Sequence, residues 1–386
     1  MPVPRLRIPR IFFSLASLCL ASGSAALQPA VAPPCPGEAA GESPLRGLGT
    51  GSPRLLLDAN FPDPFVARFD GAFHAYATGA QLERSQANVQ YIRSRNLAEW
   101  SAPAEALPAA NLPAWVDRSH PQVWAPEVAS IGGRYVLYFN ARHAALTRTE
   151  TPPDGPRVLQ RHCLGAAVAN APEGPFQGID APLVCAEFAN GVIDANVFRD
   201  GEDGALYLYY KEDGNCCGPG SAIYVQGLST DGLAALGAPI RLVASNDSPD
   251  SHDDWEWRVV EAPTMVRRDR DYHLFYSGNF FGNANYAVAY LSCASPRGPC
   301  RDNGDNPILR SHDESPLIGP GHQSLLEHAG RTLIFFHGWN ADPDGREQTG
   351  VHRRCLYVGQ VDWEKEDGGT ERPRVVGGAA SRRPAH

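Results

Sequence analysis

Five times between residues 63 and 322 the chain repeats one pattern: a polar residue, an apolar strand, a turn rich in Gly or Asp, and a second apolar strand. The units open at Asp63, Glu127, Asp194, Glu261 and His322, spaced 61 to 67 residues apart. Their second strands read Phe73-His-Ala-Tyr, Tyr135-Val-Leu-Tyr, Leu206-Tyr-Leu-Tyr, Tyr272-His-Leu-Phe-Tyr and Leu333-Ile-Phe-Phe. Third-strand candidates follow, such as Gln90-Tyr-Ile-Arg-Ser and Tyr286-Ala-Val-Ala-Tyr. No segment carries a sustained 3.6-residue apolar period, and the runs are short, rich in β-branched and aromatic residues, and divided by turn residues. Antiparallel repeats of this length predict an all-β fold, a five-bladed β-propeller of four-stranded blades.

In such a ring the first strand of each blade lines the axis, so Asp63, Glu127, Asp194, Glu261 and His322 are expected to face a common centre. Gathering four carboxylates costs electrostatic energy, which marks the centre as a functional site. Glu127 and His322 could instead hydrogen-bond the starts of inner strands.

Charge and the termini narrow the function further. A net charge of -9 gives no basic face for phosphate contacts and excludes nucleic acid as an expected partner. Arg5, Arg7 and Arg10 precede an apolar run, residues 11 to 20, and small residues to Ala26. That is a secretory signal pattern over residues 1–26, too short to span a bilayer, so a secreted protein, extracellular or periplasmic, with no membrane partner is expected. Residues 27–53 read as a flexible linker, 54–363 as the propeller and 364–386 as a C-terminal tail. Export permits disulfides; Cys293 with Cys300, and Cys163 with Cys185, are the expected pairs. Adjacent Cys216 and Cys217 have no CxxC partner for a zinc site. A monomer is expected.

The motifs Phe61-Pro62-Asp63-Pro64, Trp124-Ala125-Pro126-Glu127-Val128, Ile193-Asp194, Val260-Glu261-Ala262-Pro263 and Gly319-Pro320-Gly321-His322 together resemble glycoside hydrolase family 43. The resemblance runs from about Leu55 to Trp363 and departs where Glu127 replaces an aspartate and Ala195-Asn196 replaces Pro-Ser. It implies Asp63 as general base, Glu261 as general acid and Asp194 as the carboxylate that keeps the acid protonated. It also implies an inverting displacement, with base and acid about 6.5 to 9.5 Å apart to admit water. Tyr210 to Asn215 and Gly321 to Ser324 are most similar to the branch containing α-L-arabinofuranosidases, implying arabinan or arabinoxylan of the plant cell wall as substrate.

Sugar rings present apolar faces, so Trp124, Trp257, Phe281 and Trp339 are candidate pocket walls, with Glu127 also placed at the substrate site. Arg353 resembles the family's pocket arginine, beside Arg354. In some relatives the equivalent of His322 borders a central calcium ion, held largely through water. A structural calcium is thus an expectation, with no cofactor required for chemistry. A β-xylosidase or arabinanase would show the same trio, and a non-catalytic carbohydrate-binding propeller is the alternative of a different class.

Overall fold

The computed structural model describes residue 45 and residues 47–378, apart from 46, 81, 83–85, 186, 216–219, 246–254, 303, 313–316, 341–352 and 366–369. The signal segment, Cys216 and Cys217 lie outside the described residues. Strand β1 (Arg54–Leu57) precedes the first blade, formed by β2 (Phe65–Phe69), β3 (Ala72–Thr78), β4 (Val89–Ser94) and β5 (Ala104–Glu105). The second blade is β6 (Trp124–Ile131), β7 (Arg134–Glu150), β8 (Arg157–Ala169) and β9 (Gln177–Gly178). The third is β10 (Val192–Arg199), β11 (Leu206–Glu212), β12 (Ala222–Leu228) and β13 (Ala235–Ala244); the fourth is β14 (Val260–Arg268), β15 (Asp271–Gly278), β16 (Ala287–Cys293) and β17 (Cys300–Asp302). The fifth contains β18 (Leu317–His328), β19 (Arg331–Asn340) and β20 (Cys355–Lys365). All pairings within the blades are antiparallel, and the five-bladed propeller is as the repeat predicts.

The fifth blade departs from the expected four strands. Strand β20 pairs both with β1, where Leu55 faces Tyr357, and with β21 (Glu371–Val375), where Val375 faces Val361. Pairing an N-terminal strand with the last blade closes the ring and covers its edge. Residues 371–375, read from sequence as tail, are therefore an edge strand, the place in a sheet where Pro373 is tolerated. Leu48, in the expected linker, is 1% exposed and joins the core between the fifth and first blades.

Each of the five hydrophobic clusters lies between neighbouring blades. This is why second strands are apolar on both faces. Tyr138 and Tyr209 are fully buried, and their hydroxyls donate to the carbonyls of Gly232 (3.0 Å) and Pro296 (2.6 Å) in the following blade. Two-residue hairpins turn at Asp70-Gly71, Gly132-Gly133 and Ala329-Gly330, all with positive φ, the geometry that matches strand twist. Both expected disulfides, Cys163–Cys185 and Cys293–Cys300, are present.

Candidate active site

Every inner strand enters the ring through one residue of left-handed conformation: Asp63, Ala125, Asp194, Ala262 and His322, with φ of 55°, 46°, 60°, 52° and 53°. None is glycine, so the surrounding structure must hold a backbone that side chains disfavour. The holding contact comes from the second strand of the preceding blade. The Ala125 N–H donates to Thr78 Oγ1 (2.9 Å), Asp194 N–H to Asn140 Oδ1 (3.3 Å), His322 N–H to Ser277 Oγ (2.8 Å) and Asp63 N–H to His337 Nδ1 (3.1 Å).

These kinks give a register that residue types alone conceal. Glu261 stands one residue before its kink and Glu127 two residues after, so the five leading residues aligned from sequence are not equivalent. Two residues past the kink, side chains bind the next blade's backbone: Val197 N–H to Glu127 Oε1 (2.6 Å), Met265 N–H to Asn196 Oδ1 (3.0 Å) and Val66 N–H to Ser324 Oγ (3.2 Å). Glu127 also accepts from Asn196 Nδ2 at 2.9 Å. It thus belongs to an interblade belt, the alternative the sequence left open, while it also lines the axial cavity. Burial outweighs the two hydrogen bonds and pushes its pKa up to about 8.

Asp63, Asp194 and His322, with Glu127 and Thr264, line a cavity of about 20 Å³ where the inner strands converge. Burial opposes ionisation of Asp63, but Arg354, then His322, His337 and the Thr78 hydroxyl, more than offset it and hold the carboxyl well below the ordinary range. Arg354 Nη1 lies 2.8 Å from Oδ1, and Thr78 Oγ1 donates to Oδ2 at 2.5 Å. Because the Asp63 N–H donates to His337 Nδ1, that ring nitrogen carries no proton. Burial and then Arg354 keep His337 neutral, its pKa well below the usual histidine value. The carboxylate is thus anchored and ionised, able to accept a proton from water, although the same contacts that hold it ionised weaken it as a base.

Glu261 is engaged at both oxygens. Tyr286 donates its hydroxyl to Oε1 (2.7 Å), and the fully buried ammonium of Lys211 lies 2.6 Å from Oε2. Tyr286 reaches the carboxyl because Gly321 leaves room: a Cβ there would lie 2.1 Å from the ring. Asp194 Oδ2 accepts from the Ala262 N–H at 3.0 Å. Burial raises Asp194 to about 6 against His322, with Glu261 adding to the rise, Lys211 opposing it and Asp63 adding again. Asp194 thus interacts with both Glu261 and Asp63, and Glu261 carries a cation that the sequence reading did not anticipate.

The remaining candidates divide. Arg353 pairs with Asp58 Oδ1 at 3.2 Å, so Arg354 is the arginine on the base. Trp339 is buried, its indole donating to the Phe281 carbonyl (2.9 Å), while the Phe281 ring lies 4.8 Å from the Arg354 guanidinium carbon. These two support Arg354, which corrects the expectation of Trp339 as an open wall. Trp124 stacks on His162 at 4.0 Å, and Trp257 is 44% exposed. Among the described residues, no three or more His, Cys, Asp or Glu side chains are grouped to hold a metal ion, and His322 directs Nδ1 to Asp63 Oδ1 at 3.4 Å. The donor set does not fit direct calcium ligation, and no step is routed through it. Sequence reasoning missed Lys211, Arg354, Tyr286, Thr78 and His337 as site residues. Thr78, Lys211 and His337 carried the signal in hindsight, ending or closely following the five repeated second strands.

Three relatives share most of this architecture's length. The xylosidase/arabinosidase 43A of Humicola insolens is 29% identical over 67% of this chain and 77% of its own. The beta-D-galactofuranosidase xynD of Aspergillus niger is 25% identical over 72% and 73%, and the extracellular exo-alpha-(1->5)-L-arabinofuranosidase of Streptomyces chartreusis 24% identical over 71% and 79%. The sequence profile of glycosyl hydrolases family 43 matches residues 54–368, which takes in all five blades and all three carboxylates. With its propeller and its anchored acidic centre, the chain belongs to glycosyl hydrolase family 43.

Proposed function

We propose that this glycoside hydrolase releases α-L-arabinofuranosyl residues from arabinan or arabinoxylan by a single inverting displacement. The observation that carries the chemistry is the division of labour around Asp194, which feels both Asp63 and Glu261. Asp63, fixed as an anion by Arg354, takes a proton from the attacking water. Glu261 gives its proton to the leaving oxygen as the glycosidic bond breaks, through an oxocarbenium-like transition state. The sugar assignment is supported by the arabinosidase and arabinofuranosidase names of two relatives and by the Tyr210 to Asn215 motif. Action outside the cytoplasm is supported by the basic and apolar N-terminal segment and by the two disulfides.

The test is proton NMR of fresh digests of arabinan and arabinoxylan, beside aryl α-L-arabinofuranosides, β-D-xylosides and β-D-galactofuranosides. Arabinose appearing first as the β-anomer is the expected result. Preferred release of xylose or galactose would reassign the substrate, arabinose appearing first as the α-anomer would remove inversion, and binding without release of any sugar would make the protein a carbohydrate-binding propeller.

A further inference from the structure

Five positions on the second strands are equivalent, each opposite the residue just before a kink: Thr78, Asn140, Lys211, Ser277 and His337. Four of them accept the N–H of the next blade's kinked residue. Lys211 is the exception, because an ammonium group can only donate. The Ala262 N–H it leaves goes to Asp194 Oδ2 instead, and the ammonium turns to Glu261 Oε2 and Asn215 Oδ1. One change of residue type thus recruits Asp194 to the backbone and places a cation on Glu261. Burying a lysine completely carries a large desolvation cost, which the scaffold alone would avoid with an acceptor such as the other four blades use.

We infer that Lys211 is a positioning residue for proton donation, holding Glu261 in place and stabilising the carboxylate that forms as its proton leaves. The inference rests on Glu261 being the general acid. In the step itself, the proton passes from the Glu261 carboxyl to the glycosidic oxygen and the C–O bond breaks, its electron pair remaining on that oxygen. Water attacks the sugar carbon, giving its own proton to Asp63. Negative charge develops on Glu261, and a cation fixed 2.6 Å from Oε2 is worth more in that transition state than before it. The other charged or titratable groups around Glu261 are Asp194 on β10 and Tyr286 beside β16, with Asp63, His322, His337 and Arg354 near the axis.

The experiment compares wild type, Lys211→Met and Lys211→Arg on two glycosides of whichever sugar the wild type accepts. One has a 2,4-dinitrophenyl leaving group, which departs without protonation; the other has an alkyl leaving group, which requires it. For Lys211→Met the expected result is a loss of kcat of tenfold or more on the alkyl glycoside and of less than threefold on the dinitrophenyl glycoside. Lys211→Arg should recover part of the alkyl activity. If Lys211→Met does not fold, Asn215→Ala, which removes the second anchor of the ammonium, should show the same preference in weaker form. Equal losses on both substrates would overturn the inference alone. A wild-type protein that hydrolyses none of the arabinosides, xylosides and galactofuranosides would overturn the hydrolytic reading, and this inference with it.

Discussion

Arg354 and Asp63 lie 291 residues apart in the chain and meet at 2.8 Å, joining the closing blade to the opening one. The guanidinium keeps the base ionised in spite of burial. Replacing it by methionine should let burial dominate, so that Asp63 takes up its proton at higher pH. The acidic limb of kcat/KM would then move upward, with activity at pH 4.5 falling at least tenfold relative to activity at pH 7. Arg353→Met, which loses the pairing with Asp58, should leave that limb in place. Parallel pH profiles of the two variants decide which arginine serves the site.

The acid and base are separable by the same kinetics. Asp63→Asn and Glu261→Gln should each lower kcat/KM on arabinan by about 10² to 10⁴, the range for removing a positioned proton-transfer group. Far-UV circular dichroism should stay that of the wild type. Activity near the wild-type level in either purified variant would take that residue out of the mechanism.

Glu127 makes a prediction about stability. Its pKa is about 8 in the fold, against an ordinary value of 4.5. Below pH 4.5 folded and unfolded chains both hold the proton, so the contribution is fully present. Between 4.5 and 8 the unfolded chain has lost it and the folded chain has not. Each pH unit in that window then removes at most about 1.4 kcal/mol of stability. Glutamine cannot ionise, although its amide must meet the Asn196 amide and will lower stability at every pH. Calorimetric melting of Glu127→Gln from pH 5 to 8 should therefore start lower than wild type and fall less steeply. An identical slope would show that Glu127 is ionised inside the belt.

The repeat made the fold legible, because five strand pairs with turn residues at matching offsets leave few architectures open; the roles of Asp63, Asp194 and Glu261 came from the resemblance alone. The alignment within it was less legible. What marks equivalence is the left-handed kink, and in the second and fourth blades alanines, Ala125 and Ala262, occupy it. A reader of residue types aligns the nearest carboxylates instead, which places Glu261 one residue late and Glu127 two residues early. Lys211 was hidden for a related reason: at the end of an apolar strand a lysine reads as solvated, and only the neighbouring blade shows the carboxylate it meets. Trp339 misled in the opposite direction, since an aromatic near a motif does not reveal whether it faces sugar or supports an arginine.

Gly321 and Tyr286 supply the last test. The hydroxyl of Tyr286 reaches Glu261 across a glycine whose Cβ, if present, would stand 2.1 Å from the ring. Gly321→Ala must displace that ring, at a cost of about 1 to 3 kcal/mol for overpacking, and in doing so breaks the hydrogen bond to Oε1. Tyr286→Phe breaks the same bond without moving the backbone. If the glycine serves catalysis only by admitting the tyrosine, the two effects on kcat share one cause and cannot add. The double variant should then turn over no more slowly than Gly321→Ala alone, while thermal melting shows the extra destabilisation of both variants that carry the alanine. Multiplying losses in kcat would mean that Gly321 acts on the site by another route, such as shifting the neighbouring His322 against Asp63.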